Sequence, residues 1–456
     1  MKRFFLVLSL ALSLAFIGIA PARAALQIQS WTLSNGARVL FVESHSIPVL
    51  DLSVEFDAGS RRDPQGKPGV AELTNAMLAR GLREADAGAA SSASSASAAS
   101  GAEPAMSEAQ ISDTLADTAA QRGGGAGADR AGASLRTLVS QPERDTAVRL
   151  LARLLAHPSF PENLLARDKA RITAAIREED TKPEAIASKA FWRLMYPSHP
   201  YGLQQTVASV ESITRDDLVA FHNTHYVANR AIVSIIGDIS RAEADAIAQQ
   251  LTARLPQGAP LPALPPVESP PARNESIAHP ASQAHILLGM PAIARGDPDY
   301  FPLLVGNYTL GGGGFVSRLT REVREKRGLS YSVYSYFNPM AQPGPFQAGL
   351  QTQKDQAGNA LNVVRDTIST FLRDGPTEQE LKAAKDNLTG GFALRIDNNR
   401  KILDNVAAIG FYNLPLNYLD TWTANVAKVS AADIKAAFNR NLALDKMSTV
   451  VVGNGQ

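Results

Sequence analysis

Residues 69–81 read GVAELTNAMLARG, an apolar-periodic stretch opened by Gly69 and closed by Gly81. A zinc-binding helix sets two histidines four residues apart, so that both imidazoles leave one face, with a glutamate beside them as general base. In the inverted order H-x-x-E-H, the three positions that matter hold Glu72, Asn75 and Ala76 here. The spacing is that of a metal helix, and both nitrogen ligands and the base are missing. A second candidate pair is His222 and His225 in FHNTH, three residues apart and able in principle to share a metal. No Ser-His-Asp arrangement can be assigned from spacing.

The elements that must carry these residues follow from periodicity. RVLFVE (38–43) and VLDLSVEF (49–56) read as strands, the second alternating between two faces, with 46–48 as the turn between them. Helical patterns occupy 107–121, 143–156, 161–179 and 184–195. Strands followed by runs of helices indicate an α+β fold with helices packed on one face of a mostly antiparallel sheet. The pattern then repeats. ITRDDLVAFHNTHYVANRAIVSIIGD (213–238) and VSAADIKAAFNRNLALDKMSTVVVGN (429–454) both read as a capped helix with a late phenylalanine, Phe221 or Phe438. In both, a β-branched strand follows and stops at Gly237 or Gly453. The chain is therefore a duplicated domain, and the counterparts of His222 and His225 are Asn439 and Leu442, which makes the histidines structural.

Two segments interrupt the globular texture. Residues 84–106 (EADAGAASSASSASAASGAEPAM) hold too few large apolar side chains to pack and read as a flexible insertion. Residues 256–273 (PQGAPLPALPPVESPPAR) form a proline-rich, extended linker. The expected division is a leader at 1–24, an N-terminal domain at 25–255, the linker at 256–273 and a C-terminal domain at 274–456.

With 45% apolar and 20% charged residues, the 456-residue chain has ample material for large cores. A net charge of +1 without a basic run argues against a nucleic-acid partner. Lys2 and Arg3, an apolar run and the triplet Ala22-Arg23-Ala24 read as a cleavable secretory signal, and no later run is long enough to insert stably in a membrane. Cysteine is absent, which excludes disulfides, thiolate metal sites and a lipidated N-terminal cysteine. An exported, cysteine-free chain suits a bacterial periplasm.

Gly69, Val70, Ala71, Met77 and Gly81 fall where the inverted zinc helix has its frame. ARITAAIREEDTKPEAIASKAFWRLMYPSHPYG (170–202) is similar to the segment that supplies the third ligand, with Glu178 at that position. LGGGGFVSRLTREVREKRGLSYSVYSYF (310–337) resembles the C-terminal active-site segment, a glycine turn at Gly311, Gly312, Gly313 and Gly314 followed by Arg324 and Tyr331. Together these stretches identify the chain as resembling the inverted-zinc metallopeptidases of the pitrilysin, insulinase and mitochondrial processing peptidase family, over nearly its whole length. The resemblance implies two homologous α+β sandwich domains forming half of a clamshell. It implies a substrate-binding glycine loop, Tyr331 hydrogen-bonding a scissile carbonyl as it becomes an oxyanion, and Arg324 holding a nearby substrate carbonyl.

Without the two histidines of the motif no cofactor is expected in this chain. The pattern implies a division of labour: a homologous H-x-x-E-H subunit brings zinc, base and water, this chain brings Arg324 and Tyr331, and a peptide substrate lies between them in a heterodimer or larger assembly. The alternative is a non-catalytic peptide-binding or scaffold protein of the same fold. A third reading, in which Glu72 and Glu178 hold another metal, leaves both imidazoles unreplaced.

Overall fold

The computed structural model describes residues 26–85 and 103–453. The leader expected at 1–24 and most of the 84–106 insertion lie outside the described residues.

Two mixed sheets organise the molecule. The first, from one edge to the other, runs Gln29–Thr32, Arg38–Glu43, Ile232–Gly237, Val49–Phe56, Ala131–Leu138, Gln121–Ala126. Among the described residues its one parallel pair joins 38–43 to 232–237. The second runs Val333–Phe337, Gly344–Gln353, Gln283–Ile293, Ser448–Val452, Asn274–Ile277, again with one parallel pair, 448–452 against 274–277. The repeat seen in the sequence is therefore carried by the topology. The helices Arg215–His225 and Ala431–Asn441 open on matching capping boxes, Thr214 with Asp217 and Ser430 with Asp433, and lead into equivalent central strands. Phe221 and Phe438 are both buried but are not equivalent: aligned on these caps, Phe438 stands opposite His222 and Asn441 opposite His225, one position earlier than the Asn439 and Leu442 expected from matching the phenylalanines.

The turn at 46–48 does not close a hairpin, because strand 232–237 inserts between 38–43 and 49–56. Periodicity finds strands but not their neighbours. The helix expected at 107–121 ends sooner, spanning Glu108–Asp117, and QRGGGA becomes the edge strand Gln121–Ala126. Its glycines hide it from β propensity, yet Gly124 has φ +103° and a Cβ there would stand 2.4 Å from the Gly132 carbonyl oxygen.

One face of each sheet is covered by helices of its own half, and the other face takes a helix from the opposite half. Helix Pro183–Met195 lays Ala187, Ala190 and Phe191 on the second sheet around Leu287 and Val450, and a Cβ at Gly289 would stand 2.9 Å from the Phe191 ring. Helix Asn399–Phe411 returns the contact, bringing Gly410 against Leu40 and Ile232. This exchange explains why alternation in 49–56 did not mean a wet face. Leu50, Leu52, Val54 and Phe56 enter the first core, while Asp51 and Glu55 on the other face are met by Arg136 and Arg130.

The exchange is fastened at Asp129, which is 4% exposed. Its carboxylate accepts from Arg61 Nη1 (2.9 Å) and the Tyr201 hydroxyl (2.5 Å) on the N-terminal side, and from the Tyr412 hydroxyl (2.9 Å) and Ala341 N–H (2.9 Å) on the C-terminal side.

Candidate functional site

Gly69 takes φ +111°, and Asp63 caps the helix Val70–Met77 by accepting from the N–H groups of Gly69 (2.8 Å) and Ala71 (2.7 Å). Burial pushes the Asp63 carboxyl up to about 6 despite those amides. The frame of a metal helix is thus intact, and the three positions that would do its chemistry are otherwise engaged. Glu72 is exposed and accepts a hydrogen bond from Gln205. Asn75, 4% exposed, donates from Nδ2 to the Gly132 carbonyl (3.0 Å) and the Tyr226 hydroxyl (3.1 Å). Ala76 offers no ligand atom. Glu178, near the end of helix Glu162–Glu179, points to solvent and pairs with Lys182 at 2.7 Å, which holds its carboxyl below the usual range.

These residues do not fit zinc. The base position is a neutral amide whose N–H groups are committed to a strand carbonyl and a phenol, and the outlying carboxylates are both held by other side chains. Among the described residues, no three His, Asp or Glu side chains gather closely enough to hold a metal ion.

The committed amide carries an expectation. Asn75→Ala should cost about 1–3 kcal/mol by stripping a buried carbonyl and a phenol of their donor. Asn75→Glu, which restores the acid of the motif, should cost more, since it turns a carboxylate toward the Gly132 carbonyl in a dry site. Equal denaturant midpoints for the parent and Asn75→Glu would refute this.

His222 and His225 are buried at the end of their helix. His222 Nε2 donates to the Leu155 carbonyl at 2.7 Å, and His225 Nδ1 donates to the Asp57 carbonyl at 2.9 Å. Burial pushes each imidazole down to about 4, and the pair packs among Phe160, Phe221 and Tyr226. Their place is the core. Because the folded values lie below the ordinary 6.5, the unfolded chain binds more protons between pH 6.5 and 4. Stability therefore falls as pH drops through that window, by about 2 kcal/mol per imidazole at pH 5. Urea unfolding at pH 7 and pH 5 measures the loss, and His222→Gln should remove about half of it, leaving the share of His225.

In the C-terminal half, helix Tyr300–Asn307 widens into the π turn Tyr308–Gly312. Asn307 locks that turn to the edge strand, donating to the Ser335 carbonyl (2.9 Å) and accepting from the Ser335 hydroxyl (2.7 Å). A Cβ at Gly311 would stand 2.4 Å from the Ser335 oxygen, so close approach to the chain itself requires that glycine. Gly314 takes φ +59° and leads into Phe315 and Val316, which are 69% and 62% exposed. Arg324, in the turn Thr320–Glu325, lies between two rings, 4.8 Å from the Phe315 centroid and 4.5 Å from that of Tyr331. Tyr331 is 81% exposed. Among the described residues Arg324 has no ion pair, whereas Lys326 and Arg327 pair with Glu322.

The fold thus brings Arg324 and Tyr331 together and adds Phe315, which sequence reasoning passed over although its signal was an apolar pair directly after four glycines. No hydrogen bond or ion pair joins this cluster to the 70–77 helix among the described residues. Tyr334 and Tyr336 were also missed. They stack at 5.9 Å on edge strand 333–337 and, with Trp192 and His285, line a hollow of about 280 Å³.

A family model described as the peptidase M16 inactive domain matches residues 212–388. The crystal structure of a peptidase M16 inactive domain from Pseudomonas fluorescens is 38% identical, covers 94% of this chain and 98% of its own, and superposes with a TM-score of 0.86. A relative from Helicobacter pylori, the non-peptidase homolog YmxG, is 25% identical over 91% of each chain. The zinc protease YmxG of Bacillus subtilis, itself termed uncharacterized, is 24% identical over 81% of this chain and 85% of its own.

Proposed function

The chain belongs to the M16 peptidase family as one of its inactive members, and from that premise we propose that it is the zinc-free subunit of a periplasmic metalloendopeptidase. A homologous subunit with an intact H-x-x-E-H supplies zinc, base and water. This chain supplies the groups that hold the peptide and receive its developing charge.

The observation that carries the reading is the asymmetry between the two halves. The 70–77 helix has its catalytic positions filled and satisfied, while a half-buried Arg324 and an exposed Tyr331 stand preformed, the arginine with no carboxylate partner among the described residues. Holding an arginine between two exposed rings offers about 0.5–1 kcal/mol per ring, too little to explain leaving two large aromatic side chains in water. A role in contact with something else accounts for their exposure. In that role the Tyr331 hydroxyl donates to the scissile carbonyl as it becomes an oxyanion, and Arg324 donates to a neighbouring substrate carbonyl. In the same role the exposed Gly312 and Gly314 of the loop leading to Phe315 leave backbone open to the peptide. An extended peptide added along a sheet edge is recognised mainly through its main chain, and strands 121–126 and 333–337 are the corresponding edges of the two halves.

A second reading, a non-catalytic peptide-binding or scaffold protein, draws on Asn75. A buried amide at the base position is how a chain that has left catalysis would fill the gap. Recovery of the tagged protein from its native cells, with mass spectrometry of what elutes, separates the two. The first requires a co-eluting relative of similar size bearing H-x-x-E-H and zinc-dependent peptide cleavage by the pair. Elution alone and inert transfers the case to the second.

A further inference from the structure

Beside the Asp129 contact, at the junction of the halves, lies a cavity of about 410 Å³. Asp57, Arg61 and Arg230 line it from the N-terminal half, and Arg295, Phe411 and Tyr412 from the C-terminal half. Each of the three arginines has its Nε shut from solvent and without a hydrogen-bond partner. The remaining nitrogens explain how unequal these residues are. Arg61, 8% exposed, is met by Asp129 at 2.9 Å and by Asp57 at 3.0 Å, and Asp57 also takes the fork of Arg62. Arg230 reaches the backbone carbonyls of Thr224 and Ala259 and no carboxylate. The Arg295 side chain makes no hydrogen bond or ion pair among the described residues, and its guanidinium lies 5.4 Å from the Tyr412 ring centroid.

Three guanidinium groups therefore face the cavity against one carboxylate that is already occupied. Arg295 has no acceptor within the chain among the described residues and Arg230 no carboxylate, so the positive wall is suited to an anion from outside the chain. We propose that this cavity binds a phosphate group, either the inorganic ion or a small phosphomonoester whose organic part rests on Phe411 and Tyr412. A carboxylate is satisfied by one arginine fork. Phosphate has oxygens enough for several, and guanidinium is the side chain whose planar donors fit it. Because the walls come from both halves, the bound ion ties them together.

Thermal unfolding and calorimetric titration of the full chain with inorganic phosphate and with phenyl phosphate, against chloride at equal ionic strength, test this. A saturable rise in Tm is expected with phosphate. Arg295→Ala should weaken binding at least about tenfold, since it removes one charged fork. Its unliganded Tm should fall only slightly, because the side chain it removes makes no hydrogen bond among the described residues and its removal loses one contact with the Tyr412 ring. Should that variant fold poorly, Arg230→Lys provides the same comparison. Tighter phenyl phosphate assigns the ester, and equal binding assigns the ion. A phosphate response no larger than that of chloride, or one unchanged in both variants, overturns the proposal.

Discussion

Tyr331→Phe in the reconstituted two-subunit enzyme is expected to lower kcat for peptide cleavage by about 10²–10³ with little change in KM, the loss typical of one oxyanion donor. The substitution removes one oxygen from a side chain that is 81% exposed, so the folding stability of this chain should not move. Arg324→Ala should act differently. It withdraws a donor to a ground-state carbonyl and removes the guanidinium against which Phe315 and Tyr331 both lie, so KM should rise while kcat also falls. Arg324→Lys keeps the charge but loses the flat group that fits between two rings, and should recover only part of the loss. Phe315→Ala reports on positioning alone: a smaller effect of the same kind as Arg324→Ala is expected, because one of the two rings that hold the guanidinium is gone. Full activity of the Tyr331→Phe pair would remove the shared-site reading, whatever the partner proves to be.

How much of this was legible before the structure can be traced to particular residues. The duplication was readable because its signals are local: an oxygen-bearing cap, a late phenylalanine, a β-branched run and a terminal glycine, all within 26 residues of each copy. The degenerate metal helix was readable for the same reason. What filled it was not. Asn75 is satisfied by Gly132 and by Tyr226, and no local rule brings residues 57 and 151 positions apart together. The stack on Arg324 needed the π turns at 308–312 and 320–325, which set the facing of both rings and which sequence periodicity cannot distinguish from ordinary helix. The strand at 121–126 was lost in its glycines. The exchange of helices 183–195 and 399–411 was invisible because each looks like an amphipathic helix of its own half, and only the opposite sheet shows where its apolar side goes.

That exchange leads to the second large effect. Asp129→Ala is expected to cost about 3–5 kcal/mol, the range for removing one partner of a buried ionic contact. The substitution leaves Arg61, already 8% exposed, with a lost acceptor, and strands two phenols and an N–H that came from opposite halves. Burial, reinforced by the Asp129 charge, pushes Tyr412 up to about 12, so its hydroxyl remains a donor and has no means of adjusting by ionisation near neutrality. Asp129→Asn should fall between, since an amide oxygen accepts but its NH₂ faces donors. Tyr412→Phe should cost less than either, because it removes one donor and leaves the carboxylate three others. A double-mutant cycle between Asp129→Asn and Tyr412→Phe should show coupling of at least about 0.5 kcal/mol, as expected for directly bonded groups. Hydrogen exchange locates the damage: faster exchange in 183–195 and 399–411, with the central strands 49–56 and 283–293 protected, marks loosening between the halves. A loss under about 1 kcal/mol from Asp129→Ala would mean that the apolar helix exchange holds the halves unaided, for a fully buried carboxylate with four donors has no other way to be cheap to remove.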